Sequence, residues 1–195
     1  AISMVHRAID AYVHKDIELA QQVELSDDIV DALFNDVKAD LIAGLRGHPD
    51  RTEECLDLLM IAKYLERIGD QASDIAELVL HLHAKSTDAV GVLEDILKMG
   101  DDVLKMVKRS IAAYVQVDLA AAAEVIAHDD VIDAAFRRIS SEIAQYIAAH
   151  PTEAETALDL FMVTKYLERL GDHAVNVAEW VEFLKTGVHK SRKIV

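Results

Sequence analysis

The chain has 195 residues, 52% of them hydrophobic, and it contains only two prolines and seven glycines. This composition excludes a disordered protein and favours an all-helical one, with either one large domain or two small ones. The formal net charge of −15 argues against nucleic acids and anionic lipid surfaces as partners, because a field of that sign repels them and attracts cations.

The location of the protein is predicted from what the sequence lacks. No apolar run reaches the roughly 18–20 uncharged residues that a membrane-spanning helix needs, and no secretory signal opens the chain. The single cysteine, Cys55, allows neither an internal disulfide framework nor a thiolate metal site. We therefore expect a soluble cytoplasmic protein that meets membranes only through partners.

The elements of the first half read as helices. Ser26-Asp27-Asp28 offers N-cap residues for a middle helix. The apolar stripe of that helix consists of Val30, Leu33, Phe34, Val37 and Leu41. A last helix can start at Pro49, and its apolar residues recur in alternating steps of four and three, as in the seam of a helix bundle. The seam consists of Ile61, Leu65, Ile68, Ala72, Ile75 and Val79.

The second half repeats the first at a constant offset of 102 residues. KYLERIGDQASDIAE, residues 63–77, matches KYLERLGDHAVNVAE, residues 165–179, at ten of fifteen positions. His48-Pro49 likewise matches His150-Pro151. A period this long in two copies indicates the duplication of a whole three-helix unit. The sequence thus predicts an all-α fold of two tandem three-helix bundles with up-down-up topology and pseudo-two-fold symmetry.

The two copies differ in their first helix. In the second unit this helix is predicted from about Thr87 to Tyr114, whereas the equivalent of Thr87 would precede Ala1. We therefore expect the front half of the first helix to be missing from this chain. The predicted boundaries are residues 1–84 for the first bundle, 85–187 for the second and 188–195 for a basic tail.

Acidic residues follow the last helix of each unit on the side opposite its seam. At about 100° per residue they stack turn over turn, so they are expected on the outer face of the bundle. In the first copy they are Glu66, Asp70, Asp74 and Glu77, and in the second Glu168, Asp172, Asn176 and Glu179. The middle helices add the pairs Asp27/Asp31 and Asp129/Asp133 at the flank of their apolar stripes.

Four carboxylates from two helices could therefore converge in each unit. With no neutralising base expected among them, they suit a hard cation such as Mg, Ca, Mn or Fe, and Zn can also bind through carboxylates. The alternative is a solvated acidic face with local ion pairs to Lys63 and Arg67, or to Lys165 and Arg169.

The remaining candidate residues are expected to have structural rather than chemical roles, and the two glycines have two interpretations. Gly69 and Gly171 either let the next helix approach closely or are tolerated slack in the helix. His173 is expected at the surface, Tyr64 and Tyr166 in packing, and Cys55 as a small apolar residue.

These motifs resemble those of the PhoU family, regulators of phosphate transport and phosphate signalling. The resemblance lies in L-E-R-[IL]-G-D followed by A-x-[DN]-[IV]-A-E, present twice, and in the acidic pair of each middle helix. It implies two related three-helix bundles with multinuclear metal clusters on their surfaces. The implied ligands are Asp27, Asp31, Glu66 and Asp70 in the first site, and Asp129, Asp133, Glu168 and Asp172 in the second. Asp74 and Asn176 are weaker candidates, and because they differ the two sites can differ in charge.

The resemblance also implies a function. Such proteins are negative regulators of phosphate uptake, linking the phosphate ABC transporter ATPase subunit to the sensor histidine kinase of phosphate starvation, and they form homodimers. The expected role is thus a cytoplasmic adaptor that is not an enzyme. Two alternatives stay open: a carboxylate-bridged metal enzyme, and a helical scaffold without metal.

Overall fold

The computed structural model describes residues 1–83 and 90–186, and this part of the chain folds into six α-helices without a strand. The helices are α1 (Ile2–His14), α2 (Ile17–Gly47), α3 (Thr52–His83), α4 (Val90–Gln116), α5 (Leu119–Ala149) and α6 (Ala154–Thr186). Helices α1–α3 form one bundle and α4–α6 the other, and α3 packs against α6 to join them. The all-helical, duplicated fold is confirmed.

Three predicted features fall outside the described residues. They are the start of the first helix of the second unit at Thr87, the domain boundary at 84/85 and the basic tail 188–195. The boundary therefore stays a prediction. No helix in the described ranges combines the length and apolar character needed to cross a membrane.

The middle helices begin earlier than predicted. Asp16 caps α2, its Oδ1 accepting a hydrogen bond from the Leu19 N–H at 3.0 Å. Asp118 caps α5 in the same way. The proposed cap at Ser26-Asp27-Asp28 is wrong, because these residues lie inside α2. The Ser26 hydroxyl donates a hydrogen bond to the backbone carbonyl of Gln22 at 2.6 Å. It therefore bonds one turn back within α2 instead of capping the start of a helix.

The last helix of each unit starts where the prolines predict. Pro49 and Pro151 each open a single 3-10 turn that leads directly into α3 or α6. The predicted seams are buried along both helices, and Leu65 alone among these residues is only half-buried. Residues of both bundles join one continuous apolar core.

The two bundles differ where their first helices differ. Helix α1 has 13 residues and α4 has 27, so no described residue of the first bundle corresponds to the N-terminal half of α4. The apolar stripe predicted for α2 is consequently not fully buried: Leu33 is 58% exposed and Val37 38%. Ile139, which stands at the position of Val37 in α5, is fully buried.

Candidate metal centres

The carboxylates of each bundle meet where the middle helix crosses the last helix. At the first crossing, a Cβ built on Gly69 would lie 3.2 Å from Cγ1 of Val30. At the second, a Cβ on Gly171 would lie 3.4 Å from Cγ2 of Ile132. The absence of a side chain at Gly69 thus lets α2 approach closely. A Cβ on Gly171 would meet ordinary van der Waals contact, so both readings stay open for that glycine.

The first cluster brings together three of its four predicted residues within ligand distance. One carboxylate oxygen each from Asp31, Glu66 and Asp70 lies within 4.8 Å of the other two. Asp31 is exposed and Asp70 half-buried. Glu66 is only 9% exposed. The expected outward direction is wrong for Glu66, because α2 covers the flank of α3 from which it projects.

The fourth residue, Asp27, adds a carboxylate whose ionised form is unfavourable in this cluster. Its Oδ1 is buried and has no hydrogen-bond partner among the described residues. Burial, followed by the neighbouring carboxylates of Asp31 and Asp28, raises the pKa of Asp27. Burial, followed by Glu66 and Asp27, likewise raises the pKa of Asp70. A bound cation would relieve both the repulsion and the unsatisfied oxygen.

A lysine stands beside each cluster, so the expectation of no neutralising base is wrong. Lys63 pairs with Glu66, and Lys165 pairs with Glu168 with its Nζ 2.5 Å from Oε2. The Lys63 ammonium also lies 5.3 Å from the ring centroid of Phe34. Of the ion pairs expected for a solvated acidic face, those of the two lysines are therefore present. A metal ion would compete with these lysines for the glutamates. The repeated i, i+3 spacing was the available signal for these pairs.

The second cluster is looser than the first. Burial, followed by Glu168 and Asp129, raises the pKa of Asp172 from 3.8 to about 6, and Asp133 adds to the repulsion. These carboxylates are thus close enough to interact. Asp133, however, lies 3.5 Å from Nη1 of Arg137, and no three oxygens of this described group approach one another as closely as in the first cluster.

A sequence difference accounts for this contrast. Arg137 of the second copy corresponds to Asn35 of the first, whose Nδ2 donates to the backbone carbonyl of Asp31 at 2.9 Å. The carboxylate of Asp31 therefore has no cationic neighbour at i+4, while that of Asp133 is shared with one.

The weaker candidates lie towards the contact between α3 and α6. Asp74 is half-buried; burial, followed by Asp70 and Glu77, raises its pKa, and Arg169 of α6 partly offsets the rise. Asn176 is also half-buried. Asp74 thus links the first cluster to the inter-bundle contact.

His173 was predicted to be a surface residue, but it is half-buried. Its ring centroid lies 6.2 Å from that of Tyr64, and its Nδ1 is buried without a hydrogen-bond partner among the described residues. Burial, followed by Arg67 and Arg169, lowers the pKa of His173 to about 4. Tyr64 contacts this ring and Tyr166 packs against the core, so both tyrosines pack as expected.

The class of protein is thus a duplicated all-helical bundle, in which an acidic pair of each middle helix is set against an acidic pair of each last helix. A sequence model of the PhoU domain matches residues 1–79 and 96–181. The chain therefore belongs to the PhoU family.

Individual relatives agree with this assignment. Two proteins described as phosphate-specific transport system accessory protein PhoU homologs are similar over 191 residues, or 96% of this chain. The one from Clostridium acetobutylicum is 29% identical with 86% of its length covered, and the one from Caulobacter vibrioides is 32% identical with 82% covered.

Solved structures agree as well. The crystal structure of PhoU from Pseudomonas aeruginosa superposes with a TM-score of 0.89 and 27% identity, covering 96% of this chain and 90% of that one. PhoU from Streptococcus pneumoniae, a phosphate transport system regulatory protein, has a TM-score of 0.84 at 22% identity. It covers 96% of this chain and 89% of its own, and supports the fold.

Proposed function

We propose that the protein is an accessory regulator of phosphate transport that works by binding rather than by catalysis. Family membership and the names of its relatives support the link to phosphate transport. In this role it is a cytoplasmic negative regulator that connects the phosphate transporter ATPase subunit with the sensor histidine kinase. It meets the membrane through those partners and functions as a homodimer.

The proposal includes cations bound at the two carboxylate clusters. The observation that carries it is the convergence of Asp31, Glu66 and Asp70 within 4.8 Å, next to the buried and unpartnered oxygen of Asp27. An all-oxygen donor set suits Mg, Mn, Ca or Fe, and Zn can also bind to it. Asp129, Asp133, Glu168 and Asp172 would hold the second metal, more weakly because Arg137 competes for Asp133.

Metal would convert a repulsive surface into an ordered one. Without a cation, the carboxylates of each crossing repel one another. Burial first, and this repulsion second, raise the pKa values of Asp27, Asp70 and Asp172. A divalent ion would tie α2 to α3 and α5 to α6, presenting a rigid polar patch to a partner. A partner protein could dock on such a patch of two fixed helical faces.

Elemental analysis of the purified protein tests the metal directly. We expect stoichiometric metal in the wild-type protein and a loss of metal from the first site in Glu66→Gln. Glu77→Gln, on the exposed part of the same helix, is the matched control and should retain the full metal content. Wild-type protein without metal after expression in metal-supplemented medium would favour the metal-free scaffold.

Co-purification from cells tests the adaptor role. The tagged protein should recover the transporter ATPase subunit or the sensor kinase, and light scattering should give the mass of a dimer. Failure to recover either partner would remove the adaptor proposal. Phosphatase or oxygen-consumption activity that depends on Glu66 but not on Glu77 would instead identify a metal enzyme.

A further inference from the structure

A polar strip follows the contact between α3 and α6, where the two bundles meet. Its residues lie at steps of three or four along each helix and correspond between the two copies at the offset of 102 residues. They are Tyr64, Arg67, Gln71 and Asp74 on α3, and Tyr166, Arg169, His173 and Asn176 on α6. The ring centroids of Tyr64 and His173 are 6.2 Å apart, so the two halves of the strip face each other.

The two arginines of the polar strip lie opposite each other. Tyr64 of α3 contacts His173 of α6. Further along α3, Asp74 interacts with Arg169, which comes earlier in α6, so the two helices pass in opposite directions. Arg67 therefore lies one turn from the ring contact, on the same side of it as Arg169. After burial, the charges of both arginines lower the pKa of His173, so both lie near that one ring.

Neither arginine has a carboxylate in contact. In residues 1–83 and 90–186, neither guanidinium forms a hydrogen bond or an ion pair. The lysines one turn earlier, Lys63 and Lys165, each pair with a glutamate of the same helix. Arg67 and Arg169 thus bring two like charges to one contact without pairing either of them. A small anion between them would replace this repulsion with charge-assisted hydrogen bonds.

Two uncharged side chains of the polar strip are also unsatisfied. Gln71 and His173 occupy equivalent positions in the two copies, and Gln71 is only 5% exposed. Oε1 of Gln71 and Nδ1 of His173 are buried without a hydrogen-bond partner among the described residues. Because burial and then the two arginines lower the pKa of His173 to about 4, its ring is neutral at neutral pH, and Nδ1 can carry the proton and donate it. Buried polar atoms without a partner call for an occupant such as an ordered water or an ion.

Asp74 narrows the class of anion that fits the polar strip. Its carboxylate interacts with Arg169 and with the hydroxyl of Tyr166, so it lies on the side of the strip that carries the arginines. An ionised carboxylate accepts hydrogen bonds and repels an anion that has no proton to donate. Monohydrogen phosphate carries one P–O–H group at neutral pH, whereas sulfate carries no proton. A site that combines cationic donors with a carboxylate acceptor therefore favours phosphate over sulfate.

We propose that the polar strip binds inorganic phosphate between the two bundles, with Arg67 and Arg169 as its cationic groups and Asp74 as the acceptor of the phosphate proton. The buried polar atoms of Gln71 and His173 lie beside the anion. This inference rests on the proposed function and extends it, because an accessory protein of phosphate transport would then respond to the transported ion itself. Since each bundle contributes one arginine, phosphate would also tie α3 to α6.

Isothermal titration calorimetry of the full chain with sodium phosphate at neutral pH tests the proposal. The wild-type protein should bind one phosphate per chain. Arg67→Gln and Arg169→Gln should each weaken binding at least about ten-fold, because each removes a hydrogen bond to a charged group. Both arginines are exposed, so both variants should fold, which circular dichroism checks. Arg46→Gln, in the exposed last turn of α2, is the matched control for the change in charge and should bind phosphate like the wild-type protein.

Two further comparisons identify the anion and separate the polar strip from the carboxylate clusters. Sulfate should bind the wild-type protein at least about ten-fold more weakly than phosphate, and Asp74→Asn should remove most of this difference. Glu66→Gln should bind phosphate like the wild-type protein, and Arg67→Gln should keep the full metal content. A failure of the phosphate proposal is therefore distinguishable from a failure of the metal or adaptor proposals.

Several results would overturn the inference. Absence of saturable binding up to about 10 mM phosphate, or undiminished binding in both arginine variants, would show that the polar strip is not a phosphate site. An equal loss in Arg46→Gln would reduce the effect to overall charge. Equal affinities for phosphate and sulfate would remove phosphate as the assigned ligand. Loss of phosphate binding in Glu66→Gln would place the anion at the first carboxylate cluster instead.

Discussion

The charge of Asp172 should be unfavourable in the metal-free protein and needed in the metal-bound one. Burial, followed by Glu168 and Asp129, raises its pKa from 3.8 to about 6. That rise corresponds to about 3 kcal/mol of unfavourable interaction in the ionised state. Because the residue also keeps a solvent-exposed part, solvent screening reduces the expected effect to about 1 kcal/mol. Asp172→Asn should therefore stabilise the metal-free protein by about 1 kcal/mol at neutral pH.

The dependence on pH follows from the direction of the pKa change. Because the folded-state pKa lies above the unfolded value, protonation of Asp172 stabilises the folded protein. This stability is fully present below pH 3.8 and is lost as the pH rises to about 6. The wild-type protein and Asp172→Asn should therefore be equally stable at the acid end of this range and should differ fully above it.

Urea unfolding followed by circular dichroism, in the presence of a chelator, measures the effect across the range. Asp130→Asn is the matched control, because Asp130 is an exposed neighbour of Asp129 on α5. Added Mn²⁺ should reverse the order of the two proteins. A cation that binds only the folded chain, at a hundred times its Kd, stabilises it by about 2.7 kcal/mol. Asp172→Asn, which lacks one ligand, should gain less.

Two outcomes would refute this reasoning. If Asp172→Asn is less stable than the wild-type protein at neutral pH in chelator, the carboxylate is stabilised by its surroundings rather than repelled by them. If Mn²⁺ stabilises both proteins equally, Asp172 is not a ligand.

Leu160→Ala should destabilise the protein by about 3 kcal/mol and Leu58→Ala by less than about 1 kcal/mol. The reason is that Leu160 is 1% exposed and its counterpart Leu58 is 39% exposed. Equal shifts in the urea midpoint would contradict this prediction. Gly171→Ala should gain up to about 1 kcal/mol of helix propensity, and Gly69→Ala less, because its new Cβ meets α2 at 3.2 Å; thermal unfolding compares the two. His173, with its pKa lowered to about 4, stabilises the fold when neutral, fully above its unfolded value of 6.5. That stability is lost as the pH falls towards 4, and His173→Leu should remove the loss from urea midpoints measured over this range.

Features with a local cause could be read from the sequence alone. The seam from Ile61 to Val79, the start of α3 after Pro49, and the duplication at an offset of 102 residues all follow from periodicity and capping within one stretch of chain. The i, i+4 spacing placed Glu66 and Asp70 on one face of one helix, and the spacing of Asp27 and Asp31 did the same on its neighbour. The candidate ligands could therefore be named before the structure was known.

The tertiary structure decided what surrounds each of these residues. Periodicity fixes the direction of a side chain relative to its own helix axis, but it carries no information about which neighbouring helix covers that direction. Glu66 is buried because α2 lies over it, and Nδ1 of the half-buried His173 is enclosed because α3 packs against α6. Val37 is exposed because no helix in the described residues lies where α4 covers Ile139. The meeting of Asp31 of α2 with Glu66 and Asp70 of α3 likewise depends on how the two helices cross, whereas Arg137 reaches Asp133 through the local i, i+4 spacing of one helix.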